Sequence, residues 1–224
     1  MRTRIALSSV MAAIIVAGIS DRAFAGREER LMKMSEAEIQ EKTTVVNQPW
    51  DPAIIILQKS LPSKSTVNGG HAWLDAAILT KPSPLGQPGD VLYFVGATLW
   101  NQKAFDGSGF RDFAHMKYMD SAGPAFINVN QTNANGQCTE TVAPWGGVVG
   151  GILPDASIER DCSHSAQLLA PILHSTVEYI AGLDRPWDFQ FVASDETTFT
   201  DVITPTEAKA LLDRVSTIKE TMGK

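Results

Sequence analysis

Asp112 and His115 place a carboxylate and an imidazole three residues apart, a pairing suited to acid–base or hydrolytic chemistry. On a helix the two would share a face. On a strand they would point to opposite faces, and residues 111–118 read as either. A second grouping, Asp161-Cys162-Ser163-His164-Ser165, holds an acid, hydroxyls and an imidazole in one run. Sequence neighbours usually point apart, and no G-x-S-x-G elbow occurs. Helix capping by Asp161 or Ser163 accounts for the run without catalysis. Asp112, His115 and His164 therefore stand as catalytic candidates in a chain that leans away from being an enzyme.

Metal and cofactor chemistry find less purchase. The histidines are His71, His115, His164 and His174, and no two have the i, i+4 spacing of a helical zinc pair. His174 and Glu178 are spaced as a solvated ion pair. The cluster Trp145-Gly146-Gly147-Val148-Val149-Gly150-Gly151 lacks the Lys-Ser/Thr ending of a phosphate loop and runs into Ile152-Leu153-Pro154 rather than a helix start. It reads as a flexible loop, with no metal and no cofactor expected. Tryptophans offer a different kind of site. Trp73 and Trp187 sit in apolar alternation and read as core, whereas Trp50, Trp100 and Trp145 fall at element edges or loops. Trp100, Trp145, Gly146 and Gly147 are the ligand-contact candidates.

The start of the chain has the three parts of a secretory signal: basic Arg2 and Arg4, an apolar stretch from Ile5 to Ile19, and Ala23-Phe24-Ala25 as the cleavage site. The apolar stretch is shorter than the roughly 20 residues needed to span a bilayer. Residues 1–25 are thus expected to be a cleaved leader, giving a periplasmic or secreted protein with no stable membrane insertion after cleavage. In such a compartment Cys138 and Cys162 are expected to form a structural disulfide. It would close a loop of about 25 residues.

Of 224 residues, 44% are hydrophobic and 20% charged, enough apolar side chains for a sizeable core. The net charge of −6 argues against nucleic acid as a partner, because phosphate contacts need a basic surface. Residues 26–48 form a polar segment with a short helix announced by the Ser35/Glu38 capping box. Residues 49–224 read as one globular domain. Within it, 53–58, 71–80, 91–100 and 125–129 read as strands, and 81–90 as a turn-rich connection. Asn128 to Gln137 reads as a polar loop. Leu168, Leu169, Ile172, Val177 and Ile180 suggest a helix between Ser163 and Gly182, with either a kink at Pro171 or a helix that begins near it. Trp187, Phe189 and Phe191 alternate as a strand, residues 199–203 as another. Thr204-Pro205-Thr206-Glu207 opens a final helix striped by Ala208, Leu211, Leu212, Val215 and Ile218.

The expected fold class is α+β: a mixed or antiparallel sheet in the first two thirds, packed by two amphipathic helices from the last third. The expected function is that of an exported binding or accessory factor for an envelope or extracellular protein or a small ligand. The alternative is a hydrolase acting on envelope glycans or peptides.

Overall fold

The computed structural model describes residues 29–58, 70–100, 111–142 and 158–223, and for 133–142 and 158–164 the backbone alone. The leader 1–25 and the Trp145-Gly146-Gly147 loop lie outside the described residues. The elements are α1 (Glu36–Lys42), β1 (Thr44–Val46), β2 (Ala53–Leu57), β3 (Gly70–Leu79), β4 (Val91–Trp100), β5 (Phe113–Asp120), β6 (Gly123–Asn128), β7 (Asn130–Val142), β8 (Ile158–Ile172), α2 (His174–Gly182), β9 (Trp187–Ala193), β10 (Thr198–Ile203) and α3 (Pro205–Met222). The strands make a six-stranded sheet in the order β1-β2-β3-β4-β8-β7 and a four-stranded sheet in the order β10-β9-β5-β6. Every pairing is antiparallel. Two helices from the last third pack against this framework, which is the expected α+β class.

Alternation decides which side chains meet. Leu74, Ala76 and Ile78 of β3, Tyr93, Val95 and Leu99 of β4, and Leu168, Ala170 and Ile172 of β8 share the inner face of the six-stranded sheet. Facing them are Met116, Trp187, Phe189 and Phe191 from the four-stranded sheet, with Val177 and Ile180 of α2 and Leu211 and Val215 of α3. Both helices and both sheets thus bury apolar faces in one cluster, the main favourable term in folding. On its outer face β3 carries Trp73, Ala77 and Leu79, also buried, so this strand is apolar on both sides as its sequence indicates.

Two features hold the layers in register. Only Val129 separates β6 from β7, so the chain turns there from the smaller sheet into the larger. Its N–H donates to the Ala114 carbonyl at 3.1 Å. Asp201, 3% exposed on β10, accepts from the backbone N–H of Ala72 at 2.8 Å and of Val202 at 2.8 Å. The β2–β3 ladder stops at the pair Leu57 and Asp75, so Asp201 meets β3 beyond the end of β2. A buried carboxylate is tolerated there because it takes two backbone donors.

Both capping boxes form as read. Ser35 Oγ accepts from Glu38 N–H at 3.3 Å and Glu38 returns the bond to Ser35 N–H at 2.7 Å. Thr204 and Glu207 repeat the motif in buried form at 3.2 and 2.6 Å, and the Glu207 carbonyl takes a further bond from Gln58 Nε2 at 3.0 Å.

Two stretches depart from the sequence reading. Residues 163–172 belong to the long strand β8, and the helix covers only His174–Gly182, capped by Leu173 without a side-chain hydrogen bond. Leu168 and Ile172 satisfy helical spacing, yet with Ala170 between them they also alternate, and pairing with β4 settles the matter. Pro171 is a strand residue opposite Phe94 and kinks no helix; the other expectation, a helix beginning near it, fits the start at His174. Asp161 and Ser163 accordingly cap no helix. The polar stretch Asn128 to Gln137 runs at the end of β6 and through β7, an outermost strand of its sheet. An edge position suits its Asn and Gln content, and the Asn135-Gly136 turn signal survives as a break in register between Asn135 and Cys138.

Candidate ligand-binding groove

The strand β5 resolves the ambiguity of residues 111–118 and decides the fate of its candidates. Met116 and Tyr118 point into the core, so His115, Lys117 and Met119 point out. On β6, Ala125 and Ile127 are the more buried positions and Pro124, Phe126 and Asn128 the exposed ones. Register pairs His115 with Asn128, Lys117 with Phe126 and Met119 with Pro124. On the other side Lys117 faces Gln190, which in turn faces Thr200.

These outward side chains border an open groove of about 700 Å³ across the outer face of the four-stranded sheet. Its apolar wall is Phe126, 76% exposed, with Met119, 49% exposed, and Pro124. The His115 imidazole meets Phe126 edge to face at 6.4 Å. Lys117 sits between these apolar groups and the polar Gln190 and Thr200, and makes no ion pair among the described residues. Asp188 closes one end. The floor is closely packed: Trp187 and Phe189 beneath it are 2% exposed, and Trp187 Nε1 donates to the Met119 carbonyl at 2.5 Å.

An apolar trough of this size suits the body of a small ligand, with a few polar groups to orient it. Nothing in it amounts to an acid–base pair. Asp112 precedes β5 and uses its carbonyl to accept from Ser194 N–H at 2.8 Å, and it makes no hydrogen bond to His115. His164 lies on β8 opposite Asn135, where only the backbone is described.

Of the remaining candidates, Trp100 lies on the outer face of the larger sheet. Trp100 ends β4 with its ring 5.3 Å from His71, which lies 5.3 Å from Trp73. Trp73 is buried as expected; its Nε1 donates to Asp75 Oδ2 at 2.5 Å, and its indole lies over Gly96, where a Cβ would overlap it. Trp145, Gly146 and Gly147 fall outside the described residues. Cys138 and Cys162 are register partners across β7 and β8.

The sequence reading passed over Lys117, Met119 and Phe126. The signal was available in the alternation of residues 123–128, where Ala125 and Ile127 inward leave Phe126 outward. No described helix is long and apolar enough to cross a membrane, and no three described His, Cys, Asp or Glu side chains converge as a metal site. No family model, curated protein or solved structure matches the chain.

Proposed function

We propose that the protein is an exported, non-catalytic binding protein whose groove on the four-stranded sheet takes a small apolar ligand carrying an acidic group. The observation that carries this reading is Phe126 standing three-quarters exposed beside Met119, with the Lys117 ammonium next to it in register. An aromatic ring left in water on a packed sheet forgoes about 2 kcal/mol of burial that a ligand would recover. Lys117 supplies a charge-assisted hydrogen bond that orients the acidic end. Export to the periplasm or outside the cell is supported by the leader pattern of residues 1–25 and by the opposition of Cys138 and Cys162 in a β-ladder. The alternative, a hydrolase acting on envelope glycans or peptides, draws no support from Asp112 and His115, which make no hydrogen bond to each other.

The test is calorimetric titration of the mature chain with dodecanoate. Saturable one-to-one binding is expected. The substitution Phe126→Ser should weaken it roughly thirtyfold, the equivalent of about 2 kcal/mol. Lys117→Gln should weaken it about tenfold while leaving dodecanol binding unchanged. Absence of saturable binding, or equal affinity in both variants and the parent, overturns the proposal.

A further inference from the structure

A second cleft, of about 680 Å³, opens between the start of β4 and the helices α2 and α3. It shares no lining residue with the groove. Four carboxylates border it: Asp90 from the β3–β4 connection, Glu178 from α2, and Asp213 and Glu220 from α3. Lys219 and His174 are the cationic or titratable counterweights. His174 Nε2 already lies 3.3 Å from Glu178 Oε1.

Acidity alone would not make a site, but Tyr93 adds an independent sign. This side chain is 3% exposed and lines the cleft, with its ring stacked on His174 at 5.3 Å and 27°. Its hydroxyl makes no hydrogen bond to any described residue and lies open to the cleft rather than sealed away from it. Burial, followed by the charge of Glu178, pushes the phenol up to about 12, so at neutral pH it stays protonated. A neutral hydroxyl beside a carboxylate, with no bond between them, leaves room for a donor group bound by both.

The arrangement of acids narrows the ligand. No three of the described acidic or imidazole groups converge enough to hold a metal ion, so the charges are spread rather than focused. Asp213, Ser216 and Glu220 follow one face of α3 and line the cleft. Seven residues of helix separate the two acids by about 10 Å along the axis. Between the charges lie the apolar Val91, Leu212 and Val215. Spaced carboxylates divided by methyl groups complement a flexible chain of methylenes with ammonium groups at intervals. The C-terminal half of α3 adds its partial negative charge. We infer that this cleft binds an aliphatic polyamine, with one ammonium held between the Tyr93 hydroxyl and Glu178 and another near Asp213 or Glu220.

Calorimetric titration with spermidine tests the inference on the full mature chain. One-to-one binding is expected, weakened about tenfold by Glu178→Gln, which removes a charged hydrogen-bond acceptor. Tyr93→Phe removes only an unpaired hydroxyl, so the fold should persist while affinity falls about fivefold. An equal concentration of magnesium ion should displace little spermidine, and Phe126→Ser in the groove should leave spermidine binding unchanged. No saturable heat overturns the inference. So does parental affinity in both cleft variants, or full displacement by magnesium, which would mark diffuse attraction to an acidic surface.

Discussion

Cys138 stands directly opposite Cys162 across the antiparallel ladder of β7 and β8. Opposed residues in such a ladder have Cα atoms about 4.5 to 5.5 Å apart, within the span that a disulfide accepts. A bridge there would fasten the two strands at the base of the segment holding Trp145 and the glycines. We therefore expect the protein made in an oxidising compartment to weigh two hydrogens less than its reduced form and to show no free thiol when unfolded. Replacing both cysteines by serine should cost about 2 to 4 kcal/mol of unfolding free energy. Quantitative alkylation of both thiols in protein isolated from such a compartment would contradict this.

Gly96 makes a sharper stability prediction. The Trp73 indole lies across it and is fixed by the bond from Nε1 to Asp75, whose other oxygen accepts from Gln58 N–H at 2.9 Å. A methyl group at position 96 has to displace an indole that is hydrogen-bonded and buried. Gly96→Ala should destabilise the protein by about 1 to 3 kcal/mol, the usual range for overpacking. Chemical denaturation reads this directly, and a variant as stable as the parent would show that Trp73 is not anchored there.

The contact between α1 and α3 carries a pH signature. Hydrogen bonding to Asp213, then burial and the charge of Asp213, raises Glu36 above its ordinary value of 4.5. A carboxyl raised on folding favours the native state when protonated. Its contribution is full below 4.5 and fades as the pH climbs through the raised value. Glu36→Gln has no proton to lose, so the difference in Tm between parent and variant should shift in the parent's favour on acidification from pH 7. Using a difference cancels Glu38 and Asp195, both of which are lowered and act in the opposite sense. A difference independent of pH, or one that runs the other way, would contradict the pairing.

Much of the fold could be read from residue patterns, and the gaps have physical causes. Ser35 with Glu38 and Thr204 with Glu207 announced helix starts because capping is local chemistry, complete within four residues. The doubly apolar β3 announced a central strand because both its faces are covered. Residues 163–172 mislead because Leu168 and Ile172 fit periods of both two and four, and only the β4 partner, some 70 residues earlier in the chain, discriminates. β7 was obscured because an outermost strand needs few apolar residues. The groove was hidden for a related reason. His115 was singled out for its imidazole, but its neighbours Lys117 and Phe126 matter through a cross-strand register that no single segment encodes.

The most direct test of the binding account is a map of backbone amide chemical shifts as dodecanoate is added to the mature, isotope-labelled protein. The account predicts saturating shifts on β5, β6 and β9, centred on Lys117, Met119, Phe126 and Gln190, with α2 and α3 undisturbed. Shifts absent at saturation of the ligand's solubility, or concentrated away from the four-stranded sheet, would contradict it.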